Sequence, residues 1–165
     1  INSSHEVTDE VMEKIVFYLS SLSPPRRRNV SDKDVLYGKK IFYESKCTTC
    51  HTPKYVTSKN AKHDFLKYQL IWPYTDLLLH DMGDELADLD INGNITNKEW
   101  KTPPLWGIGY AKEVNSRATF LHDGRANTLL EAVLWHSGEA KNSIDFLLKN
   151  YKDDLNKLVI FLKSL

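Results

Sequence analysis

Residues 8 to 22, TDEVMEKIVFYLSSL, place Val11, Met12, Ile15, Val16, Leu19 and Leu22 at intervals of three and four behind Thr8 or Asp9. That spacing predicts an amphipathic helix with a polar N-cap, stopped by Ser23, Pro24 and Pro25. A second helix is predicted over Asp34 to Lys46, with Val35, Leu36, Tyr37, Ile41 and Phe42 inward and Gly38 where another backbone can approach closely. It runs straight into Cys47. Residues 52 to 73 read as loop with a short apolar piece near Phe65 to Trp72, and Tyr74 to His80 as a further helical turn before an acidic stretch from Asp81 to Asp90. Thr128 with Glu131 three positions later is a capping-box pattern that opens a helix through Trp135, with Gly138 as its stop. The last helix, about Tyr151 to Leu165, buries Leu155, Leu158, Val159 and Leu162. No run alternates as strands do, so the expected class is all-α with long loops.

The first and last helices echo each other. TDEVMEKIVFYLSSL at 8 to 22 aligns without gaps onto YKDDLNKLVIFLKSL at 151 to 165, with Lys14 and Lys157, Val16 and Val159, Leu19 and Leu162, Ser21 and Ser164, and Leu22 and Leu165 identical. Two helices of one periodicity can agree by chance; the sharper reading is that the chain opens with the closing helix of a preceding, similar domain. The expected organisation is therefore an N-terminal helix and linker over 1–32, then one domain over 33–165. Arg26, Arg27 and Arg28 inside that boundary read as a solvated linker, with a docking patch for an acidic partner as the alternative.

Composition narrows the function classes. A chain of 165 residues suits one core, since domains commonly run to about 100–200 residues. The 22 Lys and Arg cancel the 22 Asp and Glu, which argues against a nucleic-acid footprint. No apolar run approaches the roughly 18 residues of a membrane helix. Ile1 is not an initiator and the first ten residues carry no signal-peptide pattern, so a processed or excised chain is expected.

The chemistry is concentrated in Cys47-Thr48-Thr49-Cys50-His51, the C-x-x-C-H signature of c-type haem attachment. Both sulfurs would form thioethers to the haem vinyl groups and His51 would become the proximal iron ligand. A thioredoxin-like redox pair would want a βαβ context, and a structural zinc site a second Cys/His pair; both are missing from the sequence. Covalent haem of this kind is attached outside the cytoplasm, so a periplasmic location is expected. The sixth ligand decides between electron transfer and catalysis, because iron ligated on both faces leaves no place for peroxide or oxygen. Candidates are Met82, Met12, His5, His63, His80, His122 and His136. His136 shares an apolar helix face with Leu129, Ala132 and Val133, which also suits a hydrogen-bonded core histidine. Met82, between Asp81 and Gly83, has the loop setting of a thioether ligand or of an ordinary core methionine.

The helix holding Gly38 and Phe42, with a terminal helix carrying Phe161, resembles the crossed helix pair of class I cytochromes c. Three longer strings, YTDLLLHDMGDELAD (74–88), EWKTPPLWGIG (99–109) and FLHDGRANTLLEAVLWHSGEA (120–140), resemble the C-terminal haem domain of the bacterial di-haem oxidoreductases of the thiol oxidoreductase type, relatives of di-haem cytochrome c peroxidases. In peroxidase relatives the helix after the F-H-D-G-like string supplies the distal ligand of the second haem, methionine in many and tyrosine in a methylamine-pathway enzyme. The resemblance puts His136 at that position and leaves Met82 as the alternative. It implies one haem c held by Cys47, Cys50, His51 and His136, a second haem domain or redox protein as partner, and single-electron transfer; the alternative is a peroxidase-like or oxidase haem assisted by an acid-base residue such as His122. Relatives often carry arginine after T-P-x-L, where this chain has Trp106, so Arg125, Arg117 and Lys101 become candidates to meet the haem propionates.

One further metal pattern stands apart. Asp88-Leu-Asp90-Ile-Asn92-Gly93-Asn94-Ile95-Thr96-Asn97-Lys98-Glu99 fits the D-x-[DN]-x-[DN]-G-x5-E calcium loop at every specified position. Such a loop wants helices on both sides, and the competing reading is an acidic, Asn/Gly-rich turn.

Overall fold

The computed structural model describes residues 6–165, so the candidate ligand His5 lies outside the described residues. Among the described residues six α-helices carry the fold: α1 (Asp9–Ser21), α2 (Lys33–Glu44), α3 (Ala111–Val114), α4 (Leu129–Leu134), α5 (Lys141–Tyr151) and α6 (Leu155–Lys163). The core forms where α2 crosses α6. Asp32 caps α2, its Oδ1 accepting from the N–H groups of Asp34 and Val35 at 2.8 and 3.2 Å, and Lys157 of α6 reaches Asp34 at 2.7 Å. At the crossing, Phe42 meets Phe161 with ring centroids 5.3 Å apart and Tyr74 at 5.8 Å. Gly38 permits it: a Cβ there would sit 2.6 Å from the Lys157 carbonyl carbon, closer still to its oxygen, and 2.8 Å from Phe161 Cβ.

α1 is capped by Thr8 as its sequence predicts, yet it buries none of its residues. Ile15, Tyr18, Leu19 and Leu22 are exposed, whereas the residues aligned with them, Leu158, Phe161 and Leu162 in α6 and Leu165 just after it, are buried. Its contacts include the edge of Phe17 on His63 and Phe65, at 5.0 and 6.1 Å. α5 lacks an apolar-to-cap signature: Ala140 provides no side-chain cap, and its sequence predicts no helix. It buries Leu147 and passes through a turn at Lys152–Asp154 into α6, which therefore starts four residues later than its periodicity suggests.

The expected all-α class is wrong. The chain is 46% helical and 11% strand, with three two-stranded antiparallel sheets, so it is a mixed structure. β1 (Tyr55–Val56) pairs with β2 (Leu70–Ile71), β3 (Leu79–Asp81) with β6 (Glu99–Lys101), and β4 (Asp88–Leu89) with β5 (Ile95–Asn97). Strands of two or three residues are too short to show alternation, so periodicity misses them. The helical turn expected at 74–80 is also absent. Tyr74 and Leu77 take positive φ of 54° and 62°, which a right-handed helix excludes, and the buried Thr75 donates its hydroxyl to the Thr102 carbonyl at 2.6 Å.

Two further expectations change. Arg27 and Arg28 are not solvated: Arg27 donates to Ser164 Oγ at 3.0 Å and lies over the Phe161 ring, while Arg28 pairs with Glu113, donates to the Gly109 and Lys163 carbonyls at 2.9 Å, and covers the Tyr110 ring at 4.0 Å. The linker is pinned to the end of α6. The calcium pattern at Asp88–Glu99 is not supported, because β-strands and not helices flank the turn and Glu99 belongs to β6. Asp90 holds the turn instead, accepting from the N–H groups of Asn92 and Asn94 at 2.8 Å and from Asn94 Nδ2 at 3.0 Å, with Gly93 at φ +84°.

Candidate functional site

α2 ends at Glu44, the buried Ser45 and the left-handed Lys46 turn the chain, and Cys47–Thr49 makes one 3-10 turn whose first carbonyl accepts the His51 N–H at 3.0 Å. The turn sets Cys47, Cys50 and His51 at the end of the helix that Gly38 seats on α6. His51 Nδ1 lies 3.0 Å from the Tyr74 carbonyl oxygen. On the other side, α4 opens with Thr128 accepting from Glu131 N at 3.1 Å, while the Glu131 carboxylate takes the Asn127 N–H at 2.6 Å. His136 follows its last turn, and its Nδ1 lies 2.7 Å from the Ala132 carbonyl oxygen.

The two imidazoles stand opposite each other, with ring centroids 6.3 Å apart and planes inclined by 50°. A carbonyl only accepts, so each Nδ1 carries the proton and donates, leaving the Nε2 lone pair free. Among the described residues neither Nε2 has a hydrogen-bond partner. This tautomer control by a backbone carbonyl is what ligating histidines commonly have. Burial lowers the pKa of His51 to about 4, and burial also lowers that of His136, so both rings are neutral and able to ligate. Two imidazole nitrogens each about 2.0 Å from one metal ion would put their ring centres roughly 6 Å apart, so the observed separation fits an ion shared between them.

The cysteines are free thiols in this structure. Burial raises the Cys47 pKa to about 12 and also raises that of Cys50.

The other candidates lie elsewhere. His63 stacks on Phe65 beside α1, with centroids 5.5 Å apart, and Met12 is exposed on α1. His122 stacks on Trp100 at 3.6 Å, 3.7 Å from Asp88. Met82 is held by its backbone, its N–H donating to the Lys98 carbonyl at 3.0 Å and its carbonyl accepting from the Ser137 hydroxyl. His80 sits between two carboxylates: Nε2 is 2.8 Å from Asp76 and Nδ1 2.8 Å from Glu139. Cys50, Asp76 and His80 also offer ligand atoms within 4.8 Å of one another. Sequence reasoning gave no hint of the Asp76–His80–Glu139 bridge, in which His80 is 4 positions from Asp76 and 59 from Glu139.

Arg125 is committed to Asp123 at 2.6 Å, to the Glu85 carbonyl, and to the Trp135 face at 5.1 Å. Lys101 and Arg117 are exposed. A cation missed in the sequence is better placed: Arg27 lines a cavity of about 300 Å³ together with Trp72, Trp106 and Leu165, and its buried Nε has no hydrogen-bond partner. Trp106 is the residue that the sequence resemblance singled out as standing where an arginine would be expected. No single-sequence signal separates Arg27 from its neighbours Arg26 and Arg28.

The family described as "Di-haem oxidoreductase, putative peroxidase" matches residues 1–165. No curated protein and no solved structure matches the chain. Among the described residues, no helix is long and apolar enough to cross a membrane.

Proposed function

Because this chain belongs to the di-haem oxidoreductase family, we propose that it is a c-type cytochrome domain that passes single electrons, with one haem c attached through Cys47 and Cys50 and its iron held by His51 and His136. The observation that carries the reading is the pair of imidazoles 6.3 Å apart, each with Nδ1–H on a backbone carbonyl and Nε2 free. The haem would supply a one-electron couple. The chain's own residues do the rest. Tyr74 and Ala132 fix which nitrogen of each ring carries the proton, and burial keeps both rings neutral. Phe42, buried and with its ring 6.2 Å from that of His51, would keep water from His51. Arg27, with its orphaned Nε, is the cation available to a buried carboxylate such as a haem propionate.

Two imidazole ligands place the reduction potential below that of a His/Met site. The peroxidase-like alternative, which the family description also names, needs an open iron face; a second imidazole 6.3 Å from His51 would close that face, and this supports the electron-transfer reading. The exposed face of α1 supports the partner: its positions repeat those that α6 buries on α2, so α1 is assigned to a second haem domain with an α2-like helix. A haem attached in this way would be installed outside the cytoplasm, which supports a periplasmic location for the domain. The test is the intact mass of protein made with the haem-attachment machinery, followed by carbon monoxide added to its reduced form. A mass raised by one haem, with no carbon monoxide binding, is expected; a bare polypeptide mass or rapid binding would overturn the reading.

A further inference from the structure

We propose that His80 is a positioning residue that locks the segment aiming His51 and the segment carrying His136 at one separation by bridging Asp76 and Glu139. The inference rests on the two-imidazole reading of the site and names what holds that geometry. Both ring nitrogens of His80 face carboxylates at 2.8 Å. An ionised carboxylate only accepts, so both nitrogens donate and His80 is an imidazolium. Hydrogen bonds of this charge-assisted kind are short and about twice as strong as neutral ones.

The two anchors belong to different halves of the site. Asp76 lies two residues after Tyr74, whose carbonyl orients His51, and its Oδ1 takes the Leu78 N–H at 2.9 Å. Glu139 lies three residues after His136, and its second oxygen takes the Asp81 N–H at 3.1 Å. Around Glu139 the segment lies flush on the end of β3: Ser137 donates to the Met82 carbonyl, and a Cβ on Gly138, at φ +53°, would lie 2.5 Å from Gly83 N and 2.7 Å from the Met82 carbonyl carbon. Tyr74 itself is held at a φ of 54°, a conformation that persists only where its surroundings enforce it. His80, whose side chain is 15% exposed, is therefore the link between a strained turn that aims one ring and a close-packed segment that carries the other. Without it, Asp76, whose side chain is 10% exposed, loses the charged donor at its Oδ2, and Glu139 keeps only the Asp81 N–H to hold it inward.

The experiment uses the haem-loaded protein, with His80→Ala, Asp76→Asn and Glu139→Ala, the double variant His80→Ala/Glu139→Ala, and the exposed Lys141→Ala as control. Low-temperature electron paramagnetic resonance reads spin state, and carbon monoxide binding to the reduced form reads how often one ligand is off. Each single variant is expected to show a high-spin fraction and a rise in carbon monoxide binding of about tenfold, the factor carried by one charge-assisted hydrogen bond. The double variant is expected to match His80→Ala, because one clamp is broken in both. Glu139 is half exposed, so Glu139→Ala gives a readable result even where His80→Ala folds poorly. Variants that stay low-spin and unreactive like wild type, or a double variant whose losses add, would overturn the clamp while leaving the two-imidazole site standing. A wild type that is itself high-spin would overturn the site, and the clamp with it.

Discussion

Replacing Gly38 by alanine tests the crossing of α2 and α6, which sets where Cys47 and His51 stand. In an exposed helix interior this substitution stabilises by about 1 kcal/mol, because alanine is the better helix former. Here the sign reverses. The new Cβ would meet backbone, 2.6 Å from the Lys157 carbonyl carbon, and the Cβ of Phe161 at 2.8 Å, and neither is the far end of a flexible side chain. Relief requires the two helices to separate, which loosens the contact of Phe42 with Phe161 and with Tyr74. Overpacking of a core commonly costs about 1–3 kcal/mol, and more where backbone must move. Setting about 3–4 kcal/mol of clash against about 1 kcal/mol of helix propensity leaves a net loss of about 2–3 kcal/mol. At roughly 2–4 °C per kcal/mol for a chain of this size, the melting temperature falls by roughly 4–12 °C. The assay is thermal unfolding of the haem-loaded protein by circular dichroism, with the exposed Lys40→Ala on the same helix as control. A Gly38→Ala protein that melts at or above wild type would refute the close crossing, and with it the placement of the cysteines.

The remaining predictions concern charge, the linker, α1 and calcium. His80 is raised from 6.5, first by its hydrogen bond to Glu139 and then by Asp76 against the opposing effect of burial, so its contribution is complete below pH 6.5 and is lost as pH rises through its folded value. Glu139 is lowered chiefly by His80; for Asp76 burial pulls upward, but the Leu78 N–H and His80 outweigh it, so both carboxylates lose their contribution as pH falls through their folded values. The melting temperature should therefore drop on both sides, and His80→Ala should remove the alkaline drop; an unchanged alkaline limb would contradict this. Arg28→Ala removes the Glu113 pair, two carbonyl contacts and the Tyr110 stack, and should cost about 2 kcal/mol, or roughly 4–8 °C by calorimetry. A shift under about 1 °C would return that residue to a solvated linker. Removing residues 6–22 should leave the melting temperature of the rest within about 2 °C, since α1 buries none of its residues, and a larger loss would argue against its assignment to a second domain. Millimolar calcium should leave the melting temperature unchanged, whereas a rise that a chelator reverses would restore the calcium reading of Asp88–Glu99.

Local signals were legible and distant ones were not. Thr8 and Thr128 announce their helices because a cap acts over three residues, and C-x-x-C-H points to the proposed chemistry because attachment and proximal ligation would need adjacent residues. Gly38 was readable as a point of close approach, although the surface that approaches is 119 positions away at Lys157. The apolar face and the family-like string brought out His136, and the fold sets it opposite His51. The β3–β6 pairing, the Asp76–His80–Glu139 bridge and the anchoring of Arg27 on Ser164 each join residues far apart in sequence, and no periodicity records such pairings. The same limit explains α5, whose helix is fixed by packing Leu147 into the core and not by a capping residue. The calcium pattern shows the reverse failure: a residue-by-residue match cannot say whether helices or strands flank the turn.

The central claim is that one metal centre is gripped by two imidazoles, and spin state reports on it directly. Low-temperature electron paramagnetic resonance of the oxidised, haem-loaded protein should show a low-spin signal that His136→Ala converts to high-spin, while Met82→Ala leaves it unchanged. A low-spin signal that survives His136→Ala and is lost in Met82→Ala would contradict the account.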